Sequence, residues 1–156
     1  MRILGIDPWL ETIWFAIIDT DHPQNIELVD YWVILTKSKT DFEKRLLQIY
    51  EDLNEIIDEF KPDYVSIEKL FFWTNVTNWI QVAHARWVCI LEFAKRWIEI
   101  YEFAPNEMKS IICGNWMAKK DQVQFMIKTQ LWLEKIPKPD DAADAIGLAM
   151  CLAFSL

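Results

Sequence analysis

Two short apolar runs each stop at a carboxylate. Ile3-Leu4-Gly5-Ile6 runs into Asp7, and Tyr64-Val65-Ser66-Ile67 runs into Glu68. Runs of this length read as buried strands. An acid at the end of a buried strand is costly to desolvate unless something positive meets it. Two more acids, Asp141 and Asp144, open the stretch 141–154, which is apolar on nearly every side and predicts a buried helix. Four carboxylates delivered by three buried elements suggest a shared divalent-metal site, the usual machinery for cutting a phosphodiester.

The remaining elements fit around these three. Residues 12–19 and 26–35 read as strands joined through the turn 21–25, so the opening third predicts a three-stranded antiparallel meander. The period then changes. Phe42, Leu46, Ile49, Tyr50, Leu53, Ile56, Ile57 and Phe60 recur at helical spacing, with Thr40 and Glu43 in a capping-box pattern and Lys61-Pro62-Asp63 as the stop. Residues 75–96, 105–112 and 119–132 predict further helices, and 98–103 a fifth strand. Trp79, Val82, Arg86 and Ile90 line one side of the second helix. A meander followed by alternating helix and strand implies an α/β fold: a mixed five-stranded sheet flanked by helices. No repeat, low-complexity tract or linker interrupts residues 1–156, which are expected to form one domain.

Composition narrows the setting. The chain has 156 residues, 53% hydrophobic and 26% charged, which predicts a globular protein. No apolar run approaches the roughly 20 residues needed to span a membrane. The N-terminus does not read as a signal peptide, so a cytoplasmic protein is expected. Cys89, Cys113 and Cys151 sit among apolar residues, outside any Cys-x-x-Cys pair, and read as buried thiols. The net charge of −8 counts against a nucleic-acid partner. Local basic groups counter it: Lys37 with Lys39, Arg86, Lys95 with Arg96, Lys109, and Lys119 with Lys120.

The predicted topology gathers the acids. The first and fourth strands flank one helix and can lie as parallel neighbours, which sets Asp7 beside Glu68 at the strand ends where open α/β sheets bind ligands. Asp141 and Asp144 are spaced i, i+3 on one helical face, in the first turn, where the helix dipole favours anions. Asp140 is an alternative to Asp141 as a ligand, or a cap. Only hard oxygen donors are offered, which suits Mg²⁺ or Mn²⁺ and not structural zinc. His22 and His84 read as ordinary polar residues. Phe71-Phe72-Trp73, shortly after Glu68, either packs as a loop or stacks on bases. Lys109 and Lys120 either face solvent or contact phosphate.

These residues resemble a known family. Ile3-Leu4-Gly5-Ile6-Asp7-Pro8, Ile67-Glu68-Lys69-Leu70-Phe71-Phe72 with Asn75-Val76-Thr77, Ala104-Pro105-Asn106-Glu107-Met108-Lys109, and Pro137-Lys138-Pro139-Asp140-Asp141-Ala142-Ala143-Asp144-Ala145 are similar to the RuvC family of Holliday-junction resolvases, in order and spacing. The resemblance implies an RNase H-like fold and a homodimer. It implies a Mg²⁺-dependent crossover junction endodeoxyribonuclease that nicks two strands of like polarity in a four-way DNA junction, serving recombination and repair. Asp7, Glu68, Asp141 and Asp144 would be the catalytic acids holding two Mg²⁺, with Mn²⁺ able to substitute. Phe71 would contact bases near the junction centre, with Phe72 and Asn75 also on the DNA. Lys109 and Lys120 would serve the DNA backbone near the cut. A RuvAB-type branch-migration complex is an implied partner. A different RNase H-like nuclease, acting on structured RNA or an RNA–DNA hybrid, would use the same acids, and a non-catalytic scaffold is the further alternative.

One departure from the family is systematic. The chain has only 3 glycines and as many as 9 tryptophans, and the resemblance implies glycine at Trp9, Trp14, Trp32, Trp87, Trp97, Trp116 and Trp132. Trp9 follows Asp7-Pro8 at a turn where bulk would obstruct substrate, Trp87 lies where glycine would let helices approach, and Trp116 occupies a turn suited to a permissive backbone. A UGA codon that the cell reads as glycine, translated as tryptophan, writes this pattern; deliberate engineering is the rival explanation. Thr74 and Met117 stand where basic residues are common in the family, or a small one at the latter, and thin the positive surface.

Overall fold

The computed structural model describes residues 1–70 and 76–156. Its elements are β1 (Arg2–Pro8), β2 (Thr12–His22), β3 (Asn25–Leu35), α1 (Phe42–Phe60), β4 (Tyr64–Glu68), α2 (Val76–Lys95), β5 (Glu99–Phe103), α3 (Pro105–Cys113), α4 (Lys120–Gln130) and α5 (Asp140–Ser155). The strands form one sheet in the order β3-β2-β1-β4-β5. β2 runs antiparallel to both β1 and β3, while β1, β4 and β5 are parallel. This is the expected mixed sheet of the RNase H-like fold.

Strand alternation decides which side chains meet. Leu4, Ile6, Val65 and Ile67 join one core cluster with Ile49, Leu53, Ile57, Cys89 and Phe93 from α1 and α2. Their neighbours point the other way. Ile3 packs with Ala149, Leu152 and Ala153 of α5, and the Ser66 hydroxyl donates to the Leu148 carbonyl across 2.6 Å. The same alternation sends Asp7 and Glu68 to the α5 face. The parallel register Gly5↔Ser66, Ile6↔Ile67 sets the two acids side by side at the strand ends.

α5 lies directly on β1 because Gly5 permits it. A Cβ at Gly5 would fall 2.1 Å from the Ala145 carbonyl oxygen and 2.9 Å from the Ala149 Cβ. Small residues on both sides let the helix sit closer than a Leu or Ile contact would allow. From Ala142 to Ala153 nearly every residue of α5 is buried, as its uniform apolarity predicts. Each large aliphatic side chain fully buried here contributes about 1.5–3 kcal/mol, and Ile3, Leu4 and Ile6 are all fully buried. A single buried polar group left without a partner costs about 1–3 kcal/mol. The frame can therefore carry Asp7 as an internal acid.

The helix ends differ from expectation in instructive ways. α1 starts at Phe42 with Asp41 as its N-cap residue, so Thr40 and Glu43 make no capping box. The Asp41 carboxylate is taken by the Lys44 ammonium, and the Thr40 N–H closes a turn onto the Lys37 carbonyl. α4 ends at Gln130, two residues before the expected limit, because Leu131 and Trp132 form its C-terminal closure: the Leu133 N–H returns to the Lys128 carbonyl. α2 closes the same way, from the Ile98 N–H to the Phe93 carbonyl. In both closures the residue in the left-handed conformation is a tryptophan, Trp97 at φ 58° and Trp132 at φ 53°. Glycine is the usual occupant there, and these two side chains are 94% and 91% exposed. Trp116 does not follow this pattern: the positive-φ residue of its turn is Gly114 at φ 69°. On α2, Val82 and Arg86 are buried and Ile90 packs against the core, so the side they share faces inward; Ile80, Trp87 and Leu91 are the large exposed apolar side chains among its described residues.

Candidate active site

The sheet changes direction of growth between β1 and β4, since β2 and β3 extend it one way and β5 the other. Such switch points are where strand ends leave a crevice for ligand. Asp7 and Glu68 stand on its floor, and α5 starts above it.

Asp7 is 3% exposed. One carboxylate oxygen each from Asp7, Asp141 and Asp144 lies within 4.8 Å of the others. Asp141 falls in the first turn of α5, whereas Asp144 lies one turn further in because the helix starts at Asp140. Glu68 is not in that triad but adjoins it, sharing a hydrogen bond with the Asp7 carboxyl. Asp140 turns away: it accepts from the Gln124 amide at 2.7 Å and lies 3.8 Å from the Lys120 ammonium. Its role is to tie α5 to α4.

These acids hold protons unusually well. Burial first, then the charges of Glu68, Asp144 and Asp141, push Asp7 far above the ordinary carboxylate range. Burial and the charge of Asp144 push Glu68 up as well, opposed by its hydrogen bond to Asp7 and by Lys120. Asp144 is raised to about 6, chiefly by burial, with Lys120 and Lys109 acting against the rise. Both lysines, from α3 and α4, are therefore near enough to feel the cluster. The Asp7 Oδ1 is buried without a hydrogen-bond partner among the described residues. Converging hard oxygen donors, mutual repulsion and an orphaned buried acceptor fit a divalent cation of the Mg²⁺ or Mn²⁺ type.

A groove of about 470 Å³ opens beside the cluster, lined by Trp9, Leu10, Glu11 and Thr12 of the β1–β2 turn, Gln81 and Val82 of α2, and Asp141. Trp9 thus stands on a wall of the site, where its bulk narrows the approach. Phe71, Phe72 and Asn75 lie outside the described residues. His22 and His84 make local contacts, His22 to the Gln24 N–H and His84 to the Ile80 carbonyl, away from the acids. Cys89 and Cys151 are buried and their thiols are pushed up to about 12, which leaves them unreactive.

Two contributors were not legible as site residues. Ser66 reads only as a small residue in a strand. Arg86 reads as a surface charge, yet it falls on the inward stripe of α2 with Val82, Ala85, Cys89 and Phe93. A charge at a core-facing helical position needs a buried partner, and that spacing was the available signal.

Comparison with known proteins gives the family. A sequence model of the crossover junction endodeoxyribonuclease RuvC matches residues 3–152. The protein of that name from Finegoldia magna is 44% identical over 154 residues, covering 99% of this chain and 93% of its own. The one from Alkaliphilus metalliredigens is 45% identical over 155 residues, covering 99% and 94%. Among solved structures, the T. thermophilus RuvC in complex with Holliday junction substrate superposes with a TM-score of 0.94 at 24% identity, covering 99% of this chain and 94% of that one. With the family model spanning nearly the whole chain and relatives well above 40% identity, this chain belongs to the RuvC family of crossover junction endodeoxyribonucleases.

Proposed function

We propose that this protein resolves four-way DNA junctions by hydrolysing a phosphodiester in each of two strands of like polarity. The observation that carries the reading is the convergence of Asp7, Asp141 and Asp144, with Glu68 adjoining, at the β1–β4 switch point of a RuvC-family chain. Asp7, Glu68, Asp141 and Asp144 hold the metal, taken to be two Mg²⁺ ions with Mn²⁺ able to replace them. Bound there, the cations supply Lewis-acid activation of water and neutralise charge on the scissile phosphate.

The chain's own residues do the rest. Burial and mutual repulsion favour the protonated forms of Asp7 and Glu68, and a divalent cation held there would favour the deprotonated ones. The buried strands fix both carboxylates, so little reorganisation is needed when phosphate arrives. Lys109 and Lys120 offset the charge of the acids and serve the DNA backbone beside the cut. Phe71, Phe72 and Asn75 are assigned to DNA, Phe71 to bases near the junction centre. Two copies make a two-fold assembly that suits a two-fold junction, and the exposed apolar residues Ile80, Trp87 and Leu91 of α2 are the surface offered for it. A RuvAB-type branch-migration complex is the proposed wider partner.

The test is cleavage of a synthetic four-way junction in Mg²⁺, against linear duplex and an RNA–DNA hybrid of the same sequence. Paired, symmetric nicks in the junction, abolished by Asp7→Asn, are expected. Preference for the hybrid would reassign the substrate to RNA-containing duplexes. Absence of any Mg²⁺- or Mn²⁺-dependent cutting would leave a scaffold.

A further inference from the structure

The last rung of the β1–β4 ladder is not made by β1. The register of that pair ends at Ile6↔Ile67, and the Lys69 N–H turns to the Phe103 carbonyl of β5. Backbone groups alternate in direction along a strand, so the Glu68 carbonyl faces the β1 side. The residue beyond Asp7 on β1 is Pro8, which has no N–H to give. The donor comes instead from α2: the Arg86 Nε–H reaches the Glu68 carbonyl oxygen at 3.1 Å. The other end of the same guanidinium pairs with the Glu102 carboxylate of β5. Glu102 stands opposite Ile67 in the β4–β5 register, on the α2 face of the sheet. The Arg86 side chain is only 9% exposed.

A purely structural role fits this arrangement poorly. The Glu102 end of the pair is 41% exposed, and ion pairs open to solvent on one side add little stability. The other buried charge on the inward stripe of α2, Glu92, is neutralised locally by Lys95 and Arg96, whereas the neighbours of Arg86 on that stripe, Val82, Ala85, Cys89 and Phe93, are small or apolar. The charge sits at the level of the acid cluster, on the backbone of the residue that adjoins it. We infer that Arg86 is a positioning residue for the metal centre: it clamps the end of β4 through the Glu68 carbonyl and so sets the Glu68 carboxylate against Asp7. This rests on the proposed reading of the acids as metal ligands.

Arg86→Lys and Glu102→Gln separate the possibilities. The first removes the planar fork that spans Glu68 and Glu102; the second frees its far end. Mn²⁺ affinity of the DNA-free protein, measured by calorimetry, is the primary readout, with thermal unfolding recorded in parallel. Groups that orient metal ligands change affinity by about 10–100-fold when lost. Arg86→Lys is expected to weaken Mn²⁺ binding at least tenfold and to raise the Mg²⁺ needed for half-maximal junction cleavage by a similar factor. The rate at saturating Mg²⁺ should recover. Glu102→Gln should move both in the same direction by a smaller factor. A drop in thermal stability with unchanged Mn²⁺ affinity and unchanged metal dependence would overturn the assignment. If Arg86→Lys does not fold, unchanged affinity in Glu102→Gln overturns it equally. Failure of the wild-type protein to bind Mn²⁺, or cleavage that survives Asp7→Asn, would instead remove the metal-centre reading, and the Arg86 assignment with it.

Discussion

Asp7 sets the terms at the scale of single residues. Its carboxyl is buried against three other acids, and in the metal-free protein that is a liability. Each raised acid binds its proton more tightly in the folded state than in the unfolded chain. Between the two values the folded state holds more protons, so stability falls as pH rises. For Asp144 the window runs from the ordinary value near 4 to about 6; Asp7 and Glu68 carry the decline to higher pH. Thermal unfolding in chelator is therefore expected to show a melting temperature that drops steadily from pH 5 to pH 8. Added Mg²⁺ or Mn²⁺ should reverse the drop, because it favours the deprotonated acids. Asp7→Asn removes the charge while keeping the shape. At pH 8 without metal it should stabilise, because folding no longer has to bury a charge or take up a proton at this position. A flat pH profile in chelator, or an Asp7→Asn protein less stable than wild type under those conditions, would count against a repulsive cluster.

At the scale of elements, the backbone disagrees with two of the side chains it carries. Trp97 and Trp132 end α2 and α4 in the left-handed conformation, which costs a residue with a Cβ roughly 1–2 kcal/mol. Neither ring is buried against anything that would offset the cost. Trp97→Gly and Trp132→Gly should each stabilise by about 1 kcal/mol, raising the melting temperature by about 2–4 °C in a domain of this size. The two sites lie on different helices, so the double variant should be close to additive. Loss of stability in either variant would mean that the exposed rings contribute contacts these positions do not display. The same comparison marks what periodicity can and cannot convey. Alternation and 3.6-residue spacing carried the order of strands and helices, and with it the meeting of Asp7 with Glu68 at the ends of two neighbouring inner strands. Helix limits were less legible, since α1 is opened at Asp41 and α4 is closed at Trp132 by local backbone bonds rather than by pattern. Arg86 was hidden because its meaning depends on Pro8, 78 positions away in the chain, having no N–H to offer a neighbouring strand.

At the scale of the whole molecule, the proposed two-fold assembly has to place two such sites at once, and the surface of the chain bears on how. A chain of charge −8 meets DNA without broad electrostatic help, which leaves geometry to select the substrate: two active sites held at a fixed separation fit a junction and not a linear duplex. The exposed stripe Ile80, Trp87 and Leu91 runs along the outer side of α2, opposite the side that holds Arg86. Pairing through it would hold two metal centres rigidly, since the same helix donates from Arg86 to the Glu68 carbonyl. Leu91→Glu places a charge at the C-terminal end of this stripe without touching the core, because Leu91 is 62% exposed. Desolvating that charge in a self-complementary contact, where it meets its own copy across the two-fold axis, costs several kcal/mol. Sedimentation at micromolar concentration should then report a monomer where the wild-type chain is a dimer. In a supercoiled cruciform the two nicks should become uncoupled, giving nicked circles in place of linear product at equal total cleavage. Dimeric Leu91→Glu protein that still linearises the cruciform would move the two-fold contact to another face of the molecule.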